Sequence, residues 1–248
     1  MKKRIAFFVL VLGVIILPVS AQVIYFNDFE NLLDPLDEWS NVPENDIILD
    51  GNVTPGTPQH SLDRFLGQFS GSETTSLTLN NLPSHTEVKL SFDLYIIRTW
   101  DGNGPTGPDI WDLSVGEQSL LHTTFSNTGI QANQKQDYPD TYPGGDNEAR
   151  TGAAESNTLG FTVVDYNDEV MDTVYSFYDE NSLIFPHTEN SLALDFSGIA
   201  LQSDIVHGVY DESWGIDNVR VEAIPEPCTL SMLSLGGLGL LRKRRMSK

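Results

Sequence analysis

The segment Ser213-Trp214-Gly215-Ile216-Asp217-Asn218-Val219-Arg220-Val221 sets one carboxylate among apolar residues near the end of the chain. In an extended strand successive side chains point to opposite faces, so Asp217, Val219 and Val221 share one. If that face is the buried one, the carboxylate is buried with it, and an unpaired buried charge is expensive. Calcium, a hard ion taking about 6–8 oxygen ligands, would relieve it. Two further readings stay open. Asp217 caps backbone donors in a bulge, or a shift of register turns it to solvent.

A second acidic cluster lies in the loop that begins Asp101-Gly102-Asn103-Gly104-Pro105-Thr106. Asp101, Asn103, Asp109 and Asp112 match four positions of a calcium-loop template. The fifth position is Pro105, however, and the glycine demanded at the sixth is Thr106, so the pattern fails where its geometry is strictest. A tight turn is the better reading. The acidic run around Asp165, Asp168 and Glu169 reads as a solvated strand end.

Other chemistries are poorly served. The five histidines (His60, His85, His122, His187, His207) show no zinc-hydrolase spacing. There is no G-x-S-x-G nucleophile elbow. A glycosidase needs only two opposed carboxylates, but 35 acidic residues supply such pairs by chance. Glycan binding asks instead for exposed aromatic faces beside polar groups. Trp39, Trp100, Trp111, Tyr138 and Tyr142 lie in or beside loops, and Trp100 and Tyr142 are the candidate platforms. Trp111 and Trp214 sit in strand-like contexts that favour packing.

The elements that must position these residues read as strands. Val88, Leu90, Phe92, Leu94 and Ile96 alternate with Lys89, Ser91, Asp93 and Tyr95, the period of a half-buried strand. Shorter runs of the same kind span residues 23–29, 76–79, 110–115, 160–166, 173–178, 191–196 and 215–222. Turn-rich clusters separate them, and residues 131–156 form a polar stretch that reads as a long surface loop. No stretch has a convincing helical period. Strands without crossover helices imply an all-β domain of two packed antiparallel sheets.

Both ends read as processing segments. Lys2, Lys3 and Arg4, an apolar run and Val19-Ser20-Ala21 make residues 1–21 a secretory signal peptide. Residues 224–248 comprise the triplet Pro225, Glu226 and Pro227, an apolar run over residues 228–241, and the basic cluster Arg242, Lys243, Arg244 and Arg245. The prolines end the last strand and leave the triplet extended and accessible. The apolar run is shorter than the ~20 residues that span a bilayer comfortably, and the basic cluster holds the C-terminus on the cytoplasmic side. Residues 22–223 remain as the single β-domain.

Residues 22–223 keep six basic residues against 34 of the 35 acidic ones, a formal charge of −28 where the whole chain carries −21. Such a domain repels nucleic acid and anionic lipid and attracts divalent cations. The lone cysteine, Cys228, lies in the tail, so no intramolecular disulfide forms.

The tail closely resembles the PEP-CTERM protein-sorting signal of bacteria, through Pro225-Glu226-Pro227, Thr229, the short apolar helix and Arg242 to Arg245; Cys228 stands where the family most often has Ser or Ala. The resemblance implies recognition by an exosortase, cleavage near the triplet, and release from a transient membrane anchor to the cell surface or extracellular matrix. The domain itself resembles jelly-roll carbohydrate-binding modules at both its ends. Phe26-Asn27-Asp28-Phe29-Glu30 with the later Trp39 is similar to the family's opening strand, and Ile216-Asp217-Asn218-Val219 to its closing strand. That resemblance implies that first and last strands lie together with a structural calcium between them, held by Asp217 with Asp28 or Glu30 and backbone carbonyls. The function implied is a non-catalytic surface or matrix component that binds exopolysaccharide. A secreted glycan-active hydrolase and a purely structural matrix protein are the alternatives.

Overall fold

The computed structural model describes residues 20–31, 36–41, 48–49, 64–104, 106–128, 134–163, 167–203, 205–206 and 209–226. Most of the expected signal peptide, and the tail from Pro227 through Cys228 to the cluster Arg242, Lys243, Arg244 and Arg245, lie outside them. The strands are β1 (Gln22–Asn27), β2 (Trp39–Ser40), β3 (Ile48–Leu49), β4 (Arg64–Phe69), β5 (Thr74–Asn80), β6 (Glu87–Arg98), β7 (Ile110–Val115) and β8 (Gln118–Thr124). They continue with β9 (Glu155–Ser156), β10 (Thr162–Val163), β11 (Glu169–Val170), β12 (Asp172–Ser176), β13 (Leu183–Pro186), β14 (Ser191–Ile199), β15 (Ile205–Val206), β16 (Val209–Tyr210) and β17 (Glu212–Ile224). Among the described residues the only helical element is a 3-10 turn at Asp179–Asn181. No helix of the described residues is long and apolar enough to cross a membrane.

All the strand pairings are antiparallel, and they form two main sheets. The larger runs β3-β4-β17-β6-β12-β9, with β1 added to β17 and β13 to β6; the smaller runs β2-β5-β14-β7-β8. The opening strand therefore lies on the closing strand, with Tyr25 opposite Val221 and Asn27 opposite Val219. Leu90, Phe92, Leu94 and Ile96 of β6 and Ile216, Val219 and Val221 of β17 meet Leu77, Trp111, Leu113, Leu194 and Phe196 of the other sheet in one core. Its centre is aromatic. Trp111 and Trp214 are edge to face at 5.8 Å, and Phe92 makes the same contact with Phe196 at 5.7 Å. Such contacts add to the apolar area removed from water, the dominant stabilising term.

The expected alternation of β6 holds on the inner face only. The alternation sets Tyr95 on the solvent side, yet it is buried with Ile97 in a second cluster with Phe65, Leu159, Phe161 and Val174 on the outside of the large sheet. Asp172 fastens this outer layer: its carboxylate accepts the Leu159, Gly160 and Phe161 amides at 2.9–3.1 Å. The polar stretch around residues 134–156 is likewise more than a surface loop. Gln136 within it is fully buried, and Tyr138 packs on Phe125 and Tyr175. Polar composition signalled exposure, but hydrogen bonds to buried neighbours satisfy the amides instead.

Gly215 of β17 lies opposite Gly67 of β4, and the Phe65 ring lies over them. A Cβ on Gly215 would stand 2.3 Å from Phe65 Cδ2 and 2.5 Å from Cε2. The absence of a side chain there allows the ring to lie flat against the sheet. Gly215→Ala is therefore expected to cost about 1–3 kcal/mol through overpacking, measured as a lower urea midpoint with an unchanged slope.

Candidate functional site

Asp217 does not share a face with Val219 and Val221. The β17–β6 ladder carries a bulge between Asp217 and Arg220, with Asn218 at φ 53°. The bulge adds a residue and restores the alternation, so that Ile216, Val219 and Val221 all point to the inner core while Asp217 turns outward. There it pairs with Asp93 across the ladder. It is nonetheless only 4% exposed, because the outer layer covers it. Its oxygens accept the Asn218 amide at 2.6 Å and the Tyr95 hydroxyl at 3.0 Å. Burial, with smaller contributions from the charges of Asp93 and Glu30, pushes its pKa up to about 8.

The structure thus brings Glu30 and Asp217 into electrostatic reach and adds Asp93, which sequence reading placed among the solvent-facing residues of its strand. Asp93 is also bound by the Asn218 amide group at 3.0 Å. Its position opposite a bulge made the difference, and alternation alone gives no sign of a bulge. Glu30 accepts the Arg64 amide at 2.8 Å, tying the opening segment to β4. Asp28 is occupied locally, accepting the Glu30 amide at 3.3 Å. Among the described residues no group of three His, Cys, Asp or Glu side chains converges closely enough to hold a metal ion. Oxygen donors for a cation at Asp217 would have to include backbone carbonyls or water.

The loop after β6 closes on itself. Asp101 accepts the Thr106 and Thr128 hydroxyls, and Asn103 donates to Asp137. Asp112 lies apart on β7, where His122 of β8 bonds it at 2.7 Å. The four template positions therefore do not form one shell, in keeping with a tight turn. Trp100 is a correction. It is 0% exposed, donates its indole N–H to Ser213 O at 2.8 Å and packs on Phe125. No face of it is open to a sugar. The apolar strand end before it runs straight into the core, and its position beside a polar loop concealed this. Tyr142 is half-buried. Its ring lies 6.0 Å from that of His122, next to Asp112.

A site that sequence reading missed joins the two sheets at one end. Glu212 opens β17, Asp109 directly precedes β7, both are fully buried, and the charge of Asp109 reaches Glu212. Glu212 also accepts the Gln202 backbone amide at 2.6 Å, while one Asp109 oxygen accepts the amides of Asp101 and Gly102. The other Asp109 oxygen has no N–H donor. Burial raises both carboxyls, and the charge of Asp109 raises Glu212 further. The buried cation nearby does not neutralise them: Arg98 bonds Gln68 at 2.8 Å and stands over the Phe161 ring, beside Asp172 and Asp211. A proton kept on Glu212 relieves the repulsion between the two buried carboxyls. No local sequence pattern marks this pair, since its halves are about a hundred positions apart.

In comparisons with known proteins, no family model and no curated protein matches this chain.

The raised Glu212 carboxyl has a consequence for stability. The folded chain holds a proton that an unfolded Glu212 releases above its ordinary value of 4.5. Between that value and the raised folded one, the native state binds more protons, so stability falls as pH rises. Urea midpoints at about pH 5, 7 and 9 should decline for the wild type by up to ~1.4 kcal/mol per unit more than for Glu212→Gln, which retains a donor. Parallel profiles for the two proteins would show that Glu212 is ionised in the fold.

Proposed function

We propose that this chain is an exported bacterial surface or extracellular-matrix protein whose domain is a non-catalytic, calcium-stabilised sandwich of jelly-roll type. It is held briefly in the membrane by its C-terminal helix, processed through its PEP-CTERM signal by an exosortase-type enzyme, and retained by exopolysaccharide outside the cell. The observation that carries this reading is where the last strand stops. β17 lies inside the large sheet and ends at Ile224, and Pro225 and the exposed Glu226 leave the domain directly after it. Cleavage at or beyond the triplet would leave every described strand intact.

The calcium reading rests on a carboxylate buried at Asp217 with Asp93 and Glu30 close enough to raise it further. Residues 28–30, where the opening strand ends, supply Asp28 and Glu30, so a cation there would tie the first and last strands together. Glycan contact is assigned to Tyr142, whose ring and the neighbouring His122–Asp112 pair offer a flat apolar face next to polar groups. A purely structural role without a glycan ligand is the second reading, and the burial of Trp100 favours it, because one of the two aromatic platforms is lost. The net acidity of the domain opposes nucleic acid.

Two measurements test these proposals. In cells with the processing enzyme, mass spectrometry of the released protein should find an N-terminus at Gln22 and a C-terminus near the Pro225-Glu226-Pro227 triplet. Replacing the triplet by alanines should leave the chain in the membrane fraction; undiminished release of that variant would refute the sorting assignment. Calcium at a hundredfold excess over its dissociation constant should stabilise the protein by about 2.7 kcal/mol, reversibly with chelator. Asp217→Asn should abolish the gain. Absence of both calorimetric heat and a melting shift would remove calcium from the account.

A further inference from the structure

Among the described residues Arg150 is a basic side chain with no carboxylate partner. Lys89 and Arg220 each pair with Glu222, Lys135 pairs with Asp146 and Glu148, and Arg98 lies beside Asp172 and Asp211. Arg150 makes no ion pair among the described residues, in a chain with 35 acidic side chains. Its guanidinium is nevertheless held in place. The Arg150 backbone amide donates to Ser126 O at 3.1 Å and to Gln136 Oε1 at 2.9 Å, and its Nε donates to Asn127 O at 3.1 Å. Asn127 is itself pinned, its amide group donating to Ile96 O and Arg98 O at 2.9 Å. The backbone at Arg150 has φ 65°, a conformation unfavourable for a residue with a side chain.

This fork borders a cleft of about 300 Å³ that is also lined by Asn127, Thr128, Asn157, Glu169 and Met171. With Nε occupied, the two terminal nitrogens are left to form parallel hydrogen bonds with a planar anion. Glu169 and the Asn157 amide are suited to hydroxyl groups, and Met171 offers a small apolar surface. Glu169 also disfavours a dianion such as a phosphate monoester, whereas a single carboxylate meets a single guanidinium. The cleft volume is at the low end for ligand sites, suited to a sugar ring.

We propose that this cleft binds the carboxylate of a uronic acid residue, which makes acidic exopolysaccharide the ligand class. The inference rests on the exopolysaccharide reading and specifies a second contact on the domain, separate from Tyr142. The net negative charge of the domain opposes such a polymer at long range, but at physiological ionic strength that field is screened within about 8 Å. The contact at Arg150 is shorter than that.

The test is calorimetric titration of the full-length protein with tetragalacturonate, with its methyl ester and with a neutral galactose tetramer. Tetragalacturonate should bind at least about tenfold more tightly than the ester. Arg150→Gln should lose that preference, and Arg150→Lys, which keeps the charge but not the fork, should retain part of it. Melting curves identify a variant that fails to fold, and for such a variant the ester comparison on the wild type decides alone. Equal binding of acid and ester, or an undiminished preference in a folded Arg150→Gln protein, overturns the assignment while leaving the exopolysaccharide reading standing. A wild type that binds none of the three oligomers overturns the assignment, and repeating the titration with extracted matrix polysaccharide then decides the broader reading.

Discussion

The ladder between β6 and β17 is the constraint on which the remaining structure depends. These are the two longest strands, and they lie side by side in the middle of the large sheet. Along their inner faces they supply most of the core contributed by that sheet, and their outer faces receive the second cluster. β4 and β1 dock on different lengths of β17, while β12 and β13 divide β6 in the same way. A ladder of this length holds its register because a slip of one residue would turn every apolar side chain to the wrong face. The single bulge near Asn218 lets the ladder carry Asp217 on the outside without disturbing Val219 and Val221.

Buried acids are the second theme, and they follow from composition. A domain with few bases cannot pair each carboxylate that its fold encloses. Asp172 is met by three backbone amides, a neutral solution that needs no counter-charge. Asp109 and Glu212 are enclosed near each other, and burial with the charge of Asp109 raises Glu212 so that it resists ionising. Asp217 has a hydroxyl and an amide but also faces two further carboxylates, which makes it the position where a cation would relieve most. The same scarcity gives Arg150 its meaning. A guanidinium without a carboxylate partner is conspicuous here, because partners are plentiful.

Much of the architecture was legible beforehand. β7 was read with its observed limits, and β5, β6, β14 and β17 were found with small errors at their ends, since each alternates over a run bounded by turns. β8 escaped notice because Gln118–Thr124 is polar along much of an edge strand, and β4 because the stretch Arg64–Phe69 has glycine in its middle and apolar residues on both faces. Of the candidate site, Glu30 and Asp217 were read as neighbours from the resemblance of the two strand ends. Asp93 was missed, and Trp100 was misjudged, because a residue at the border of strand and loop has no local signal for which side the neighbouring sheet will cover.

By itself the sequence determined the all-β class, the acidity of the domain and, with a lone cysteine, the absence of any intramolecular disulfide. Those properties are local or additive: periodicity, charge and residue counts are the same in any conformation. Only the tertiary structure decided which acids are buried together, where the bulge turns Asp217, that Trp100 is core and that Arg150 borders a cleft without an ion-pair partner among the described residues. Each of these depends on contacts between segments far apart in the chain, and such contacts exist only after the sheets have packed.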